Sequence, residues 1–219
     1  SVLVSATIEA TKEIEGDELY LIEFAPILLS EDLTRIEYSR DQEGFSLGSL
    51  SEKRSRILEL KNYEKNTNAV VEYVFHNAKP KYGGGMEITD ARNVHITLQH
   101  SFIDLPDSDY TPRFDDFRVG YFMDYVDDQT THSHTPYRDM ITRWNLVKKD
   151  PKASLSEPVE PIVWWMENTT PLEFRDDVQA GVLEWNKAFE EAGFKNAVVV
   201  KQQPDDADWD AGDIRYNVL

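Results

Sequence analysis

The segment from Pro161 to Leu219 constrains the fold most, because its order of apolar patterns implies a particular architecture. Ile162 to Met166 is a short run of β-branched and aromatic residues, which predicts a buried strand. A long amphipathic pattern follows it, and Asn196 to Lys201 is a second apolar run. A long helix between two apolar strands is typical of a βαβ crossover, so we expect these strands to be parallel.

Three signals predict that the helix begins at Pro171. Thr170 is a good N-cap, Pro171 suits the first helical position, and Glu173 completes a capping box with Thr170. The pattern predicts one helix that runs to Ala192, and Gly193 is the residue best able to close it. Its buried face is predicted from apolar residues at steps of three and four: Phe174, Val178, Val182, Trp185, Phe189 and Ala192.

Other residues of this segment refine the prediction. Gly181 lies in mid-helix, where it costs about 1 kcal/mol relative to alanine, and this indicates a close approach of the helix to the sheet. Ile214 to Leu219 is predicted as a third strand, after an acidic turn from Pro204 to Asp213. Tryptophans are more often core than ligand platforms, so we expect a core role for three of them: Trp164, Trp165 and Trp185.

Four motifs of this region resemble a bacterial family of large, secreted, zinc-dependent metallopeptidases of the zincin type, similar to metzincins. They are P-I-V-W-W from Pro161, T-P-x-x-F-R from Thr170, the run from Ala180 to Ala197, and D-W-D-A-G-D-I-R-Y-N-V from Asp208. Upstream, Asp116 to Phe122 and Ile141 to Leu146 are similar to the domain of unknown function that precedes the protease core in that family.

The resemblance implies a full-length protein that hydrolyses peptide bonds with a zinc-activated water. The family's H-E-x-x-H motif is absent from the 219 residues, whose histidines are His76, His95, His100, His132 and His134. Two imidazoles one helical turn apart and a glutamate base are required for that chemistry. We therefore expect an inactive N-terminal portion, with the zinc ligands downstream of Leu219. No catalytic, cofactor-binding or metal-binding residue is assigned within the chain.

The amino-acid composition limits the classes of molecule that the chain can bind. Forty-one acidic residues against 23 basic ones give a formal charge of −18, which disfavours nucleic acid and anionic membranes as partners. The absence of cysteine excludes disulfides and thiolate metal sites. No run is long enough to span a bilayer. The family resemblance implies an extracytoplasmic location, whether periplasmic, outer-membrane-associated or secreted, and a protein or peptide substrate for the full-length protein.

The N-terminal part is predicted to be rich in antiparallel strands. Hairpins are expected between Val4 and Phe24 and between Arg56 and Phe75, and Val94 to Ile103 alternates as a half-buried strand. Further strands are predicted at Arg35 to Arg40, Arg118 to Tyr125 and Ile141 to Val147. The fold class is therefore α+β: residues 1–150 form a β-rich domain, and residues 151–219 form part of a zincin-like βαβ sandwich. The Pro- and Ser-containing segment from Lys148 to Pro161 is the predicted linker.

Three local groupings have possible binding chemistry, and for each the plainer interpretation is favoured. His132 and His134, with Asp127 or Asp128, have metal-like spacing but suit a solvated loop tip. Asp206, Asp208 and Asp210 resemble a calcium loop but lack the glutamate at its twelfth position, which favours an acidic turn. Lys79 to Gly85 lacks the G-K-[ST] of a phosphate loop and is predicted as a turn.

A second function remains open from the sequence. The aromatic residues between Arg118 and Tyr125 favour a stand-alone module that binds protein or polysaccharide, provided that they face solvent. Self-association is also expected, because an open parallel sheet leaves strand edges and apolar surface to cover.

Overall fold

The computed structural model of the chain describes residues 8–14, 17–37, 45–81, 85–108 and 110–219. The chain divides into two compact units, Ser1–Asp104 and Leu105–Leu219. The predicted α+β class is confirmed, with antiparallel sheets in the first unit and a long helical segment in the second. The division between the units lies before the boundary predicted at residue 150, because residues 105–150 pack with the C-terminal segment.

The first unit contains a hairpin, a short helix and a four-stranded antiparallel sheet. The hairpin joins β1 (Ile8–Ile14) and β2 (Asp17–Ile22), and α1 (Ala25–Leu28) follows. The sheet consists of β3 (Ser49–Leu50), β4 (Arg56–Asn62), β5 (Asn66–His76) and β6 (Asn93–Ile103). β5 is central, since β6 pairs along one of its edges while β3 and β4 pair along the other. Both predicted hairpins are confirmed.

The core of this unit lies on one face of the sheet. Alternate residues of β5 are buried there with Leu28 of α1: Ala69, Val71, Tyr73 and Phe75. The predicted alternation of β6 is confirmed, because Val94, Ile96 and Leu98 pack against this core while His95 and Thr97 are exposed. One face of the sheet is therefore buried, because successive side chains of each strand point to opposite faces.

Two predictions for this unit have different outcomes. Arg35 to Glu37 form no strand, so the predicted strand from Arg35 to Arg40 is wrong over its first three residues. Its remaining residues, 38–40, lie outside the described residues. The turn predicted from Lys79 to Gly85 is also only partly testable, because residues 82–84 lie outside the described residues.

The second unit is built on a parallel three-stranded sheet. Its elements are β9 (Ile162–Met166), α2 (Leu172–Leu183), α3 (Trp185–Glu191), β10 (Val198–Gln202) and β11 (Asn217–Val218). β9 is central, with β10 on one side and β11 on the other, and both pairings are parallel. The predicted parallel βαβ crossover is confirmed, whereas the third strand predicted from Ile214 to Leu219 is confirmed only at Asn217–Val218, because Ile214 and Arg215 lie in a turn.

The start of the helix differs from the prediction. α2 begins at Leu172, Pro171 is its N-cap, and no side chain caps it, so the capping box of Thr170 and Glu173 is wrong. Arg175 orders this turn instead, because its Nε donates to the Thr170 carbonyl and its guanidinium donates to the Asn168 carbonyl. A short interruption at Glu184 separates α2 from α3, so the predicted single helix is two consecutive segments.

The end of the helix agrees with the prediction. Gly193 has φ +89°, the left-handed conformation that glycine adopts most easily. The Phe194 N–H donates to the Phe189 carbonyl at 2.8 Å and the Gly193 N–H donates to the Glu190 carbonyl at 2.9 Å. These two bonds form a Schellman motif, which satisfies carbonyls at the end of α3.

The helical segment is less buried than its apolar spacing predicts. No residue of α2 or α3 is fully buried, and Phe174 and Trp185 are exposed, so the predicted core role of both is wrong. Val178, Val182 and Phe189 are half-buried. A Cβ built on Gly181 meets nothing within 4 Å, so the close helix–sheet approach predicted there is also wrong.

The predicted linker is an ordered hairpin. Lys148 and Pro158 form an antiparallel bridge, and the Val159 N–H donates to the Val147 carbonyl at 2.7 Å. Ser156 forms a parallel bridge with Phe194 beyond the helix end. The Lys148 ammonium donates to the Ser154 carbonyl at 2.8 Å. Residues 147–159 are therefore part of the second unit, and the prediction of a linker is wrong.

The segment before this hairpin has less regular structure than predicted. The strands expected at Arg118 to Tyr125 and Ile141 to Val147 shorten to β7 (Met123–Asp124) and β8 (Met140–Ile141). In the described part of the chain, no helix is both long and apolar enough to cross a bilayer.

Candidate functional site

The two histidines with metal-like spacing lie in an exposed loop. His132 and His134 are both exposed, and no strand places their rings on one face. Asp128 accepts hydrogen bonds from the N–H and hydroxyl of Thr130, at 2.9 and 2.6 Å, and these bonds lower the pKa of its carboxyl. Among the described residues, no group of three or more His, Cys, Asp or Glu side chains is arranged to hold a metal ion.

The acidic turn after β10 uses its carboxylates for its own structure. Asp210 accepts a hydrogen bond from the Gly212 N–H at 2.8 Å, while Asp206 and Asp208 are exposed. Asp213 is completely buried and accepts hydrogen bonds from Nε and Nη2 of Arg215, at 3.0 and 2.7 Å. These bonds hold the pKa of the Asp213 carboxyl below its usual value. The geometry favours the structural turn over a calcium site.

Aromatic rings fasten this turn to the parallel sheet. Trp209 stacks on Tyr216 with ring centroids 3.8 Å apart, and Trp165 of β9 meets both rings edge-on. Lys201 of β10 lies over the Trp165 ring at 5.1 Å. Trp209 therefore packs against Trp165 of the sheet, and the cluster stabilises the fold through aromatic and cation–π contacts.

One polar residue of the helix is a docking point that sequence reasoning missed. The Asn186 side chain accepts from the Val198 N–H and donates to the Val198 carbonyl, both at 2.9 Å. It thereby satisfies the outward-facing N–H and carbonyl of Val198, the first residue of β10. The sequence did contain a signal for this contact. Asn186 lies on the predicted apolar face between Val182 and Phe189, where a polar side chain requires a hydrogen-bond partner.

A cavity of about 420 Å³ lies beside the first half of β6, and its walls include Glu87, Ile88, Asp90 and His95. Asp90 is held by Arg92, whose Nε lies 3.0 Å from Oδ1, and this lowers the pKa of the Asp90 carboxyl to about 2. A carboxylate with so low a pKa is a poor general base at neutral pH. Asp90 is therefore poorly suited to act as a catalytic base in this cavity.

Buried polar groups of the first unit serve its core. The Tyr73 hydroxyl donates to the Leu28 carbonyl at 2.7 Å and lies 2.6 Å from Nε2 of His100. Because that hydroxyl hydrogen is already used, His100 donates from Nε2. Burial lowers the pKa of His100 and raises that of Tyr73. The pair ties α1 to β5 and β6.

The strongest candidate for binding is a surface in residues 113–142, which we call the aromatic ribbon. Its central segment, residues 136–142, pairs antiparallel on one side with residues 113–115 and on the other with residues 122–128. Ile141 is buried between these segments. Five aromatic side chains of the ribbon are exposed: Phe114, Phe117, Phe122, Tyr125 and Tyr137. The binding hypothesis requires exposed rings, and the strand register places Phe114 and Phe122 on one face of the ribbon and Tyr125 and Tyr137 on the other.

Comparison with known proteins gives a family without an assigned function. No curated protein matches the chain, and no solved structure matches it. A family profile described as "Domain of unknown function (DUF5117)" matches residues 1–149, more than half of the chain. The match ends beside the boundary predicted at residue 150 and includes the aromatic ribbon. The chain therefore belongs to the DUF5117 family of domains of unknown function.

Proposed function

We propose that this chain is the non-catalytic N-terminal portion of an extracytoplasmic zinc-dependent metalloendopeptidase. The observation that carries the proposal is the parallel order β10–β9–β11, with the helical crossover between β9 and β10. This is the strand–helix–strand–turn–strand order that the resemblance to the zincin family implies. In that role the chain supplies the first strands and first helix of a catalytic domain.

The described residues do not fit a zinc site, so no catalytic step is assigned to them. They contain no metal-binding group of three or more side chains, and the exposed pair His132 and His134 lacks a rigid third ligand. In the proposal the zinc ligands and the glutamate base come from residues beyond Leu219. The role of this chain is to support the sheet on which they are placed.

The gene sequence beyond the Leu219 codon tests this proposal. We expect an H-E-x-x-H motif within about one hundred residues, on a helix that follows the parallel sheet. A reading frame that continues without the motif would remove the proposed activity. The control is the same search upstream of residue 1, where the proposal places no such motif.

The second candidate function is a binding module, and the exposed aromatic ribbon favours it. Phe117 and Phe122 are 96% and 91% exposed. The resemblance to the peptidase family does not explain why these rings face solvent. Several large exposed apolar side chains in one segment are typical of interaction sites in soluble proteins. The two functions are compatible, because a module that binds a partner can precede a peptidase domain. Alanine substitution in the ribbon, with partner capture as the readout, tests this candidate.

Self-association belongs to the same proposal. The helical segment exposes Leu172, Phe174 and Trp185, and Ile214 before β11 is also exposed. Burial of apolar area favours association by about 25 cal/mol per Å². Light scattering across a concentration series tests it, and a strictly monomeric protein would contradict it.

A further inference from the structure

β6 forms one edge of the four-stranded sheet in the first unit, and its register with β5 continues without a shift along its whole length. Just before β6, the Asn77 N–H donates to the Arg92 carbonyl at 3.0 Å. Just after it, the Asp104 N–H donates to the Lys65 carbonyl at 2.9 Å. Because bonding alternates along antiparallel strands, the even-numbered residues of β6 bond to β5. The odd-numbered residues direct their N–H and carbonyl groups away from it.

These outward backbone groups form a free strand edge. At the start of β6 the chain uses one of them, because the Asn93 N–H donates to the Asp90 carbonyl at 3.0 Å. Among the described strands, β5 is the one that pairs with β6. The remaining odd-numbered residues are exposed: His95, Thr97, Gln99, Ser101 and Ile103. A row of unpaired donors and acceptors at a sheet edge is a template for another strand.

The two edges of this sheet differ in their protection against such pairing. β4, on the opposite side of β5, has an irregular register between Ile57 and Glu59. It also carries the charged residues Arg56 and Lys61. Bulges, charges and prolines are the devices by which natural sheets discourage pairing at an edge. β6 has no register shift, no proline and no lysine, arginine, aspartate or glutamate, although 29% of the residues of the chain are charged.

The side chains of β6 indicate the pattern of the missing strand. Tyr73 and Val71 of β5 are at most 1% exposed, whereas Ile96 and Leu98, their partners across the ladder, are only half-buried. An added strand with apolar residues on this face extends the core over them. On the opposite face, the odd-numbered residues from 95 to 101 are polar. The added strand must therefore alternate between apolar and polar residues.

A second copy of β6 has this alternation. A two-fold axis at Leu98 pairs all eleven residues antiparallel and places Thr97 opposite Gln99 of the second copy. Odd-numbered residues then lie opposite odd-numbered residues, so the outward backbone groups of both copies bond to one another. On the apolar face, Leu98 lies opposite its own equivalent and Val94 lies opposite Phe102 of the second copy.

The unpaired edge also favours a second copy over a peptide of another protein. A bound peptide leaves its own far edge unpaired, whereas the far edge of a second β6 is already bonded to its β5. Because β6 has no lysine, arginine, aspartate or glutamate, two identical strands meet without like charges opposite each other. The same lack of charge gives the strand no means of selecting a charged peptide.

We infer that two copies of this chain associate through the free edges of β6, which joins their four-stranded sheets into one continuous antiparallel sheet. About eight backbone hydrogen bonds form between the copies, two for each of four residue pairs. The formal charge of −18 on each copy opposes association, and salt screens that repulsion. This interface lies in the first unit and is separate from the exposed helical residues proposed above for self-association. It does not require peptidase activity.

Analytical ultracentrifugation of the 219-residue chain between about 5 and 500 µM tests the interface. The edge variant carries Thr97→Lys and Gln99→Lys, whose backbone groups do not bond to β5. The matched control carries Phe174→Lys and Trp185→Lys on the exposed helical residues, and it changes the net charge equally. Circular dichroism verifies that each variant is folded.

A single cysteine tests the register, because the chain has no other cysteine. In the inferred dimer the two copies of residue 98 form a non-hydrogen-bonded pair with Cα atoms about 4.5 Å apart, a distance that a disulfide spans. Leu98→Cys should therefore give a covalent dimer with oxidised glutathione. The control is Leu60→Cys on β4, the protected edge of the same sheet, where the side chain is 56% exposed. It should cross-link at least about tenfold more slowly.

We expect the parent chain to dimerise with a dissociation constant on the order of 10 to 100 µM, since one strand pair is smaller than a standard interface. The edge variant should weaken association at least about tenfold, and the control variant should associate as the parent does. Association of the parent should strengthen between about 0.05 M and 0.5 M salt.

A parent chain that stays monomeric at the highest concentration, or a dimer that the edge variant leaves unchanged, would overturn the inference. A dimer lost only in the variant with Phe174→Lys and Trp185→Lys would support self-association through the helical residues and overturn the β6 interface. Cross-linking of Leu60→Cys as fast as that of Leu98→Cys would overturn the register.

Discussion

Replacing Asn186 by alanine should separate the helical segment from the edge of the parallel sheet. The Ile162 N–H donates to the Ala197 carbonyl, so the polar groups of the next residue, Val198, point away from β9. Asn186 satisfies both of them, with two bonds of 2.9 Å. Val198 is only 4% exposed, so water reaches these groups poorly after the substitution.

The expected cost follows from those two bonds. Each hydrogen bond contributes about 1 kcal/mol net, and a buried group left without a partner costs about 1 to 3 kcal/mol. Alanine regains about 0.5 kcal/mol through its higher helix propensity. The variant should therefore lower the free energy of unfolding of the second unit by at least about 1.5 kcal/mol.

Tryptophan fluorescence during urea unfolding measures this change selectively. All five tryptophans lie in residues 105–219, so their emission reports on the second unit alone. Lys187→Ala is the matched control, because Lys187 is one residue away and its 2.6 Å ion pair with Glu184 is largely exposed. Such a pair contributes less than about 1 kcal/mol. An Asn186→Ala variant as stable as this control would refute the docking role of Asn186.

Further predictions concern other contacts. Tyr73→Phe should lower the stability of the first unit by about 1 to 3 kcal/mol, because a buried carbonyl and an imidazole lose their partner; unchanged thermal unfolding by circular dichroism would contradict this. The Asp90 carboxyl should titrate at about 2 by NMR, against a usual 3.8, and Arg92→Ala should raise that midpoint. The stabilisation from this pair is present above the usual value and is lost as the pH falls through the folded pKa. Gly193→Ala should destabilise the second unit, because its Cβ would lie 2.8 Å from the Ser154 backbone carbonyl oxygen and the residue would have to adopt φ +89°. Gly181→Ala, with nothing within 4 Å, should instead stabilise it by about 1 kcal/mol in urea unfolding, and a loss of stability there would contradict the observed exposure.

Local patterns predicted the elements whose signals lie within a few residues. The apolar run of β9 and the glycine at the end of α3 each depend on neighbouring side chains and backbone conformation alone. The alternation of β6 likewise reported its buried face correctly. Such features form in the same way wherever the rest of the chain lies.

The incorrect predictions depend on contacts between distant residues. Proline and serine between Lys148 and Pro161 indicated a linker, but the Ser156 bridge to Phe194 orders that segment. The spacing of Phe174 and Trp185 indicated a buried face, although only part of that face meets β10. A local pattern does not show which apolar face of a helix another element will cover. For the same reason, the sequence singled out the aromatic residues between Arg118 and Tyr125 but left their exposure open, and it did not single out Phe114, Phe117 or Tyr137.

Zinc content and peptide hydrolysis of the full gene product test the central claim most directly. We expect one zinc ion per chain and cleavage of a denatured protein substrate, with both lost when the metal is removed by a chelator. Glutamine in place of the H-E-x-x-H glutamate should abolish cleavage while retaining zinc. A full gene product that contains no zinc, or that cleaves equally well after the glutamate is replaced, would contradict the proposal that this chain is part of a zinc metallopeptidase.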